Sequence, residues 1–419
     1  MGDDARAMSA GPPDENRRVV VVGGGVAGIE TLLALHDLAG SRASVTLIAP
    51  EPDFLYKPLL VEEPFDLGPA ERHELAPLAA ETGARFVQRA VSAVRPEDHL
   101  VELDDGSTVE YDYLVVCVGG RYKAALEGAT TFPSGPEPFR ADELLDRAEE
   151  KDHPVAFVVP AGVTWSLPLY EIALMTQRRA VERRVDVKIA IITPESAPLA
   201  IFGVAASTAV GEVLRGRGIE FFPSSTVREL GEEGIKLAPG DRALGPSETV
   251  ALPVMEGPAI DGLPADEGGF IPVDDHARVK EVEDVYAAGD GTNFPIKQGG
   301  LGTQQADAAV EHITHRLGAS GTAEPFRPIL RGKLLTGDVS VNLRTDVAGG
   351  GGEGQASLDC LWWPPHKISA RYLAPFLYHG DVDAEPEPPR DSLDVEVALP
   401  QEWHEQPMAL DPHHATQID

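Results

Sequence analysis

Short apolar runs and amphipathic segments alternate from the start of the ordered pattern. Residues 18–22 (RVVVV) are a β-branched run of the kind that forms a buried parallel strand. Glycines follow directly, and residues 29–38 then have the apolar spacing of a helix that stops at Gly40. Residues 44–49 (SVTLIA) predict a second strand. This order of strand, tight turn, helix and strand predicts a βαβ unit of the nucleotide-binding kind.

The same pattern restarts in the middle of the chain. Residues 155–159 predict a strand, 168–179 a helix and 187–193 another strand. The ends of the second strands also resemble each other, since residues 47–51 read LIAPE and residues 191–195 read IITPE. An internal repeat of this kind indicates a duplicated architecture. We therefore predict an α/β fold with two dinucleotide-binding units.

A glycine-rich loop joins the first predicted strand to its helix. Gly23, Gly25 and Gly28 occupy the three glycine positions of G-x-G-x-x-G. The first glycine allows a tight turn, the second lets the backbone approach a pyrophosphate, and the third lets the helix pack on the strand. The helix N-terminus supplies free N–H groups to the phosphates. Gly24 and Ala27 lie in the same loop, so we count them among the expected cofactor contacts.

An acid usually follows the second strand of such a unit, where it binds ribose hydroxyls. Ala49 occupies the usual position here, and Glu51 lies two residues further on. Glu51 is therefore our candidate for the ribose contact.

Charge and cysteine content narrow the function classes. The 419 residues include 68 acids and 35 Lys and Arg, which gives a formal net charge of −33. This charge argues against a nucleic-acid partner, because a polyphosphate would be repelled. Two cysteines allow neither a disulfide framework nor a cysteine-rich metal site, and we expect no metal. We find no signal peptide and no apolar run of 18 residues, so we expect a cytoplasmic protein.

Several motifs in order resemble one known group of proteins. The glycine loop, residues 112–120 (DYLVVCVGG) and residues 285–290 (VYAAGD) resemble the FAD-dependent pyridine nucleotide–disulfide reductase superfamily. Residues 54–60 (FLYKPLL) resemble its branch of type II NADH dehydrogenases and sulfide:quinone oxidoreductases. The resemblance implies two Rossmann-like FAD/NAD(P)-binding domains of the three-layer ββα type with a C-terminal cap.

The resemblance also divides the chain into segments. We expect a polar tail at 1–17, the FAD-binding domain at 18–150 and 263–320, an NAD(P)-binding-like domain at 151–262, a cap near the flavin at 321–380, and an acidic disordered tail at 381–419.

By the same resemblance the cofactor is non-covalent FAD. Asp290 would accept hydrogen bonds from the ribityl hydroxyls, and Gly289 would let the backbone come close. Lys57 and Pro58 would lie near the isoalloxazine, and Val91 near the adenine. Two further glycines after the DYLVVCV strand are expected to contact the cofactor: Gly119 and Gly120.

A helix beneath the flavin commonly begins with Lys-Thr-Ala-Gln in this group. The corresponding residues here are Gly302, Thr303, Gln304 and Gln305, so the lysine is missing. We expect Thr303, Gln304 and Gln305 to lie near the flavin and the acceptor, with the helix N-terminus favouring the anionic reduced flavin.

The sulfide-oxidising branch uses a cysteine in a stretch that aligns with residues 162–171. Trp165 stands in the place of that cysteine, although Pro168, Tyr170 and Glu171 match. Cys117 lies within an apolar strand and is expected to be inert, which leaves Cys360 as a single thiol. Sulfide chemistry is therefore disfavoured.

The second glycine fingerprint is degenerate. If Gly162 is its first glycine, Thr164 and Leu167 replace the second and third. Each adds a side chain where clearance is needed, while Glu195 is available for a ribose. NAD(P)H therefore stays a candidate donor, with weak affinity and NADH preferred to NADPH. Gly162, Thr164, Trp165 and Glu195 form the candidate donor site.

The segment 361–378 is the richest aromatic stretch of the chain. A helix from about residue 365 would place Ile368, Tyr372 and Phe376 on one face. Two interpretations remain open: a helix that closes the flavin domain, or an apolar surface that touches the inner face of a membrane. A homodimer is also left open.

Together these features favour an FAD-dependent oxidoreductase that passes electrons from a soluble small-molecule donor through the flavin to a quinone-like acceptor. Three alternatives remain: an NAD(P)H:quinone reductase, a sulfide or persulfide oxidoreductase that uses Cys360, and a non-catalytic flavin-binding scaffold.

Overall fold

A computed structural model describes residues 16–133, 139–319, 322–347 and 354–378. The acidic tail predicted at 381–419 and nearly all of the polar tail predicted at 1–17 lie outside these residues. Seven α-helices are formed in the described part of the chain: α1 Val26–Ala39, α2 Leu75–Glu81, α3 Ala141–Lys151, α4 Leu167–Arg183, α5 Val204–Gly216, α6 Gly299–Arg316 and α7 Leu373–Leu377. Short 3₁₀ turns occur at Gly40–Arg42, Lys57–Val61, Glu63–Phe65, Pro96–Asp98 and Ala200–Phe202.

Two parallel five-stranded sheets form the framework. The first has the spatial order β20-β9-β1-β2-β5, with β1 Arg17–Val22, β2 Ala43–Ala49, β5 Arg85–Gln88, β9 Tyr113–Val116 and β20 Val285–Ala287. The second has the order β11-β18-β12-β13-β14, with β11 Thr130–Thr131, β12 Val155–Val158, β13 Ile189–Ile192, β14 Glu220–Phe222 and β18 Glu248–Ala251.

Smaller antiparallel sheets accompany them. The strands are β3 Asp53–Leu55 with β4 Arg72–Glu74; β6 Val91–Arg95, β7 Leu100–Leu103 and β8 Thr108–Glu110; β10 Arg121–Lys123 with β19 Val254–Glu256; β15 Thr226–Gly231, β16 Gly234–Ala238 and β17 Ala243–Leu244; and β21 Ile329–Leu334, β22 Val341–Asp346 and β23 Gln355–Ser357. We call the sheet of β21, β22 and β23 the cap sheet.

Alternation along strand β1 produces three layers. Val19 and Val21 pack in one core with helices α1 and α6, while Val20 and Val22 pack in another with strands β6 to β8. The second sheet repeats this arrangement. Phe157 of β12 packs against α4, and Val158 packs against strands β15 and β16. The predicted α/β fold with Rossmann-like domains is therefore confirmed, and each parallel sheet lies between helices and an antiparallel layer.

The helix predicted from residue 365 is not formed. Helix α7 covers only five residues, and the segment before it has no regular structure. Pro364 and Pro365 carry no N–H groups, and the N–H of Ile368 donates to the hydroxyl of Tyr56 at 2.9 Å rather than to a helical carbonyl. We call residues 361–378 the strap, because this segment crosses from the second half of the molecule to the first.

Candidate active site

One large cavity, of about 830 Å³, lies at the carboxyl ends of the first parallel sheet. Open parallel sheets generally bind their ligands at this edge. The glycine loop after β1, the ends of β2, β9 and β20, and the first turn of α6 line it. The β3–β4 hairpin, the cap sheet and the strap complete its walls.

The three fingerprint glycines face three different surroundings. A methyl group at Gly23 would lie 2.3 Å from the carbonyl oxygen of Cys117, and one at Gly28 would lie 1.9 Å from that of Gly23. A methyl group at Gly25 would meet no protein atom within 4 Å, because this position faces the cavity. The first and third glycines are thus required by packing, and the second leaves room for a ligand.

The N-terminus of α1 has no side-chain cap, since the N-cap residue is Gly25 itself. Its first-turn N–H groups and the positive end of the helix dipole therefore face the cavity. This arrangement fits a pyrophosphate.

Asp290 lines the cavity just after β20. Burial raises the pKa of its carboxyl, and the charges of Lys297 and Lys57 oppose that rise. Burial also lowers the pKa of Lys297 to about 8. No protein hydrogen bond to Asp290 occurs in the described part of the chain, so its oxygens are available to ligand hydroxyls.

Thr303, Gln304 and Gln305 of α6 bind protein groups instead of lining the cavity, unlike Gly299 and Gly302 of the same helix. The Gln304 amide donates to the Ile329 carbonyl at 2.9 Å and accepts from the Ile329 N–H at 2.9 Å, which fixes the edge of the cap sheet. The Gln305 oxygen accepts from the Gly289 N–H at 2.9 Å. Thr303 is fully buried and donates to the Gly300 carbonyl. In this structure they hold the wall behind the cavity, and their predicted contact with flavin or acceptor stays a prediction.

The cavity has the opposite charge balance to the whole chain. Four acids line it: Glu51, Asp53, Glu171 and Asp290. Seven bases line it: Lys57, Arg72, Arg89, Arg121, Lys297, Lys333 and Lys367. A net positive lining in a protein of net charge −33 favours an anionic ligand at this place.

A buried ion pair connects the strap to the second half. The Lys367 amine donates to Glu171 of α4 at 2.8 Å and to the Pro58 carbonyl at 2.7 Å. The Glu171 side chain is fully buried, and its other oxygen accepts from the Leu335 N–H at 2.9 Å. Burial raises the pKa of Glu171, while Lys367 opposes the rise.

A second buried acid holds the other end of the strap. Glu30 of α1 accepts hydrogen bonds from the backbone N–H groups of Arg371, Tyr372 and Leu373 at 2.8, 2.9 and 2.6 Å. Its neighbour on α6 is Asp307, which is another acid. Burial, together with the charge of Glu30, raises the pKa of Asp307 to about 8. The hydrogen bond between the two side chains raises the pKa of Asp307 and lowers that of Glu30, so it favours the proton on Asp307.

The candidate donor residues of the second half are mostly turned away from the cavity. Trp165 lines it and packs against Phe202 at 5.8 Å, whereas Gly162, Thr164 and Glu195 do not line it. The Glu195 oxygens accept from the hydroxyls of Ser166, Tyr170 and Thr193 at 3.1, 2.7 and 3.0 Å. Burial raises the pKa of Glu195. The donor role of these residues stays a prediction.

Neither cysteine is placed for thiolate chemistry. Cys117 is buried under the glycine loop, and burial raises its pKa to about 12. Cys360 is exposed and does not line the cavity, and partial burial of its thiol also raises its pKa.

Most of the expected cofactor residues come together in this cavity. They are Gly23, Gly24, Gly25, Ala27, Glu51, Lys57, Pro58, Val91, Gly119, Gly120, Gly289 and Asp290. Sequence reasoning missed Arg72, Lys333 and Lys367. Strand alternation could have indicated Arg72, but the positions of both lysines depend on how the C-terminal region folds back.

Comparison with known proteins identifies the family. Residues 17–312 match the family model of the pyridine nucleotide-disulphide oxidoreductases. The chain belongs to this family. The resemblance seen in the motifs is thus confirmed.

Two curated relatives are quinone reductases. The chain is 26% identical over 258 residues to the sulfide-quinone reductase of Aquifex aeolicus, a match that covers 58% of this chain and 60% of the relative. It is 26% identical over 352 residues to the alternative NAD(P)H-ubiquinone oxidoreductase C1 of Arabidopsis thaliana, covering 71% of this chain and 66% of the relative. Both matches thus span less than two thirds of the relative's length.

Solved structures agree on the fold. The sulfide:quinone oxidoreductase of Aquifex aeolicus superposes with a TM-score of 0.73 at 21% identity, over 82% of this chain and 87% of that one. The putidaredoxin reductase in its covalent complex with putidaredoxin gives 0.58 at 16% identity, over 80% and 83%. At these identities the likeness concerns the fold alone.

Proposed function

We propose that this protein is an FAD-dependent oxidoreductase that passes electrons from a soluble donor to a quinone. The observation that carries the proposal is Gly25, whose missing side chain leaves open space beside an uncapped helix N-terminus. Asp290 at the same cavity has free oxygens for the ribityl hydroxyls, and Glu51 is exposed to it on the side of β2. Bound flavin would supply the redox chemistry, since it accepts two electrons from a donor and passes them on to an acceptor.

The protein groups around this cavity bind and orient. The glycine loop and its helix would hold the pyrophosphate, and the first turn of α6, with Gly299 and Gly302 in the wall, would place partial positive charge beside the flavin. Lys297 would supply a nearby cation, since its amine faces Asp290 and the Thr292 carbonyl.

An apolar wall supports the choice of a quinone as acceptor. Leu60, Val61, Phe132, Trp165 and Ile368 line the cavity on the side of the second half and the strap. A quinone head group is planar and weakly polar, so an aromatic and aliphatic wall suits it. The relatives named above include two quinone reductases, which agrees with this choice.

The donor is proposed to be a soluble small molecule other than sulfide. Trp165 stands at the cavity where a persulfide-forming cysteine would be needed, and the buried thiol of Cys117 has a pKa of about 12. NADH is the second candidate donor. We expect low affinity for it, because the Glu195 oxygens that would bind its ribose already accept hydrogen bonds from three hydroxyls of their own domain.

A peripheral membrane contact remains a weaker proposal. In the described residues no helix is both long and apolar enough to cross a bilayer. Within the strap, Ile368, Leu373 and Leu377 are buried and only Phe376 among the large apolar side chains is exposed, at 37%. A membrane contact through this segment would therefore have a small apolar area.

The test is anaerobic flavin spectroscopy of the purified protein. We expect a flavin absorbance spectrum, bleaching by a reductant, and recovery of the oxidised spectrum on addition of a soluble quinone such as menadione. Trp165→Ala should raise the quinone concentration needed for half-maximal reoxidation without changing the flavin content. Val181→Ala, at a surface site outside the cavity, is the matched control. Reduced flavin that quinone leaves unoxidised would contradict the acceptor assignment.

A further inference from the structure

Arg72 is the one cavity base without a protein partner in the described residues. The other six have partners: Lys57 over the Tyr122 ring, Arg89 with Asp105, Arg121 with the Gly257 carbonyl, Lys297 with the Thr292 carbonyl, Lys333 with the Pro365 carbonyl, and Lys367 with Glu171. Arg72 lines the cavity and makes no hydrogen bond, ion pair or ring contact within those residues.

The strand register shows where Arg72 faces. It lies on β4 directly opposite Leu55 of β3, so the two side chains share one face of the hairpin. Asp53, Leu55 and Arg72 line the cavity. The alternate residues, Phe54 and His73, stack on each other at 6.0 Å on the other face, where Phe54 is fully buried.

The hairpin is also held against the glycine loop. Leu75 directly follows β4, and its N–H donates to the Pro52 carbonyl at 2.8 Å. A methyl group at Gly24 would lie 2.5 Å from the Leu75 side chain, so this leucine packs on the loop itself. Arg72 therefore extends from an element in contact with the loop into the cavity that Gly25 faces.

We propose that Arg72 is a binding residue for the pyrophosphate of the dinucleotide at the glycine loop. The inference rests on the proposed function, since it takes the ligand to be FAD. A guanidinium presents several N–H donors in a planar fork that matches two phosphate oxygens. Helix α1 would hold the pyrophosphate from below with backbone N–H groups, and Arg72 would bind it from the hairpin.

The test compares Arg72→Met with Arg72→Lys and with Arg42→Met. Arg42 is an exposed arginine outside the cavity, so its replacement makes the same change of net charge without touching the site. Each full-length variant is freed of flavin, and its dissociation constants for FAD and for riboflavin are measured by fluorescence titration. Riboflavin is the internal control because it has the ring and the ribityl chain but no phosphate.

We expect Arg72→Met to weaken FAD binding by about 10- to 100-fold, the range for loss of a hydrogen bond to a charged group. Arg72→Lys should fall between wild type and Arg72→Met, because it keeps the charge and loses the fork. Riboflavin binding should change less than twofold, and Arg42→Met should match wild type for both ligands.

Two results would overturn the inference while leaving the proposed cofactor intact. One is FAD binding by Arg72→Met within twofold of wild type. The other is an equal loss of FAD and riboflavin affinity, which would assign Arg72 a role in folding of the hairpin. A wild-type protein that binds neither FAD nor riboflavin would instead contradict the proposed function itself.

Discussion

The two halves of the molecule share one plan, but their glycine loops differ. In the first half Gly25 leaves open space at the cavity, and Glu51 is exposed there. In the second half the loop between β12 and α4 is longer, Ser166 rather than Thr164 is the N-cap residue of α4, and Glu195 is bonded to three hydroxyls of its own domain. The duplicated fold thus keeps its sheet and helices while its two loops differ, and we expect the loops to decide whether a dinucleotide fits.

The halves also hold the strap with two different buried acids. Glu30 lies on α1, which follows β1, and Glu171 on α4, which follows β12, and both are fully buried. Glu171 has a cation, Lys367, as its partner, whereas Glu30 faces another acid, Asp307. The strap is therefore held by an ion pair at one end and by a pair of hydrogen-bonded acids at the other.

The largest effect is expected at the ion pair. Lys367→Met should lower the free energy of unfolding by about 3–5 kcal/mol, because it leaves Glu171 buried without its partner. The measurement is urea unfolding at pH 7. Lys57→Met, at an exposed lysine of the same cavity, should change the unfolding midpoint little. Equal losses of unfolding free energy in the two variants would show that the ion pair does not stabilise the strap.

The acid pair Glu30 and Asp307 at the other end of the strap should make the stability of the folded protein fall as the pH rises. The fold raises the pKa of Asp307 to about 8, so it stabilises the protonated form, and this stabilisation is lost as the pH rises through 8. The charged and titratable groups around the pair are Arg371, Tyr372, Glu311 and Asp37. Stability of the wild type should therefore fall as the pH rises from about 4 to 8, by at most about 1.4 kcal/mol per pH unit from this group, and this slope should vanish above pH 8.

Asp307→Asn should remove most of that slope, because the amide stays neutral and can still donate to Glu30. The measurement is the unfolding midpoint at pH 6, 7, 8 and 9 for both proteins. Parallel curves for the wild type and the variant would assign the pH dependence to other groups.

The predicted second fingerprint can be tested by placing a glycine at its second position. Thr164→Gly removes the Cβ at the second glycine position of the predicted fingerprint, so we expect NADH to reduce the flavin at a several-fold lower half-saturating concentration. NADH should outperform NADPH in both proteins, since the 2′-phosphate would lie near Glu195. The readout is anaerobic bleaching against nucleotide concentration. Tight, micromolar saturation of the wild type by NADPH would contradict this view of the second half.

The smallest effect is expected from the cysteines. Cys117→Ser and Cys360→Ser together should leave the rate of flavin reduction near that of the wild type, because Cys117 is buried with a pKa of about 12 and Cys360 lies outside the cavity. Stopped-flow reduction of both proteins measures this. Complete loss of activity in Cys360→Ser alone would revive the sulfide interpretation.

Local patterns predicted the first half well, because its chemistry is continuous in sequence. Strand β1, the glycine loop and α1 follow one another, so periodicity and glycine spacing were enough to predict the floor of the cavity. Asp290 could be placed only through the resemblance, since nothing local distinguishes it from an ordinary loop acid.

The strap could not be predicted in the same way. Its spacing at Ile368, Tyr372 and Phe376 is helical, but its backbone bonds go to Tyr56 and Glu30, more than 300 positions earlier in the chain. Tertiary hydrogen bonds of this kind leave no periodic signal, and two prolines remove helical donors at its start. For the same reason Glu171 and Lys367 were not recognised as a pair.

One titration tests the contrast between the halves most directly: FAD binding by flavin-free wild type, Gly25→Val and Thr164→Val. We predict one FAD per chain for the wild type and for Thr164→Val, and a loss of affinity of about 10- to 100-fold or more for Gly25→Val, whose side chain would fill the space that the pyrophosphate needs. Wild-type affinity in Gly25→Val, or a loss confined to Thr164→Val, would contradict the assignment of the cofactor to the first half.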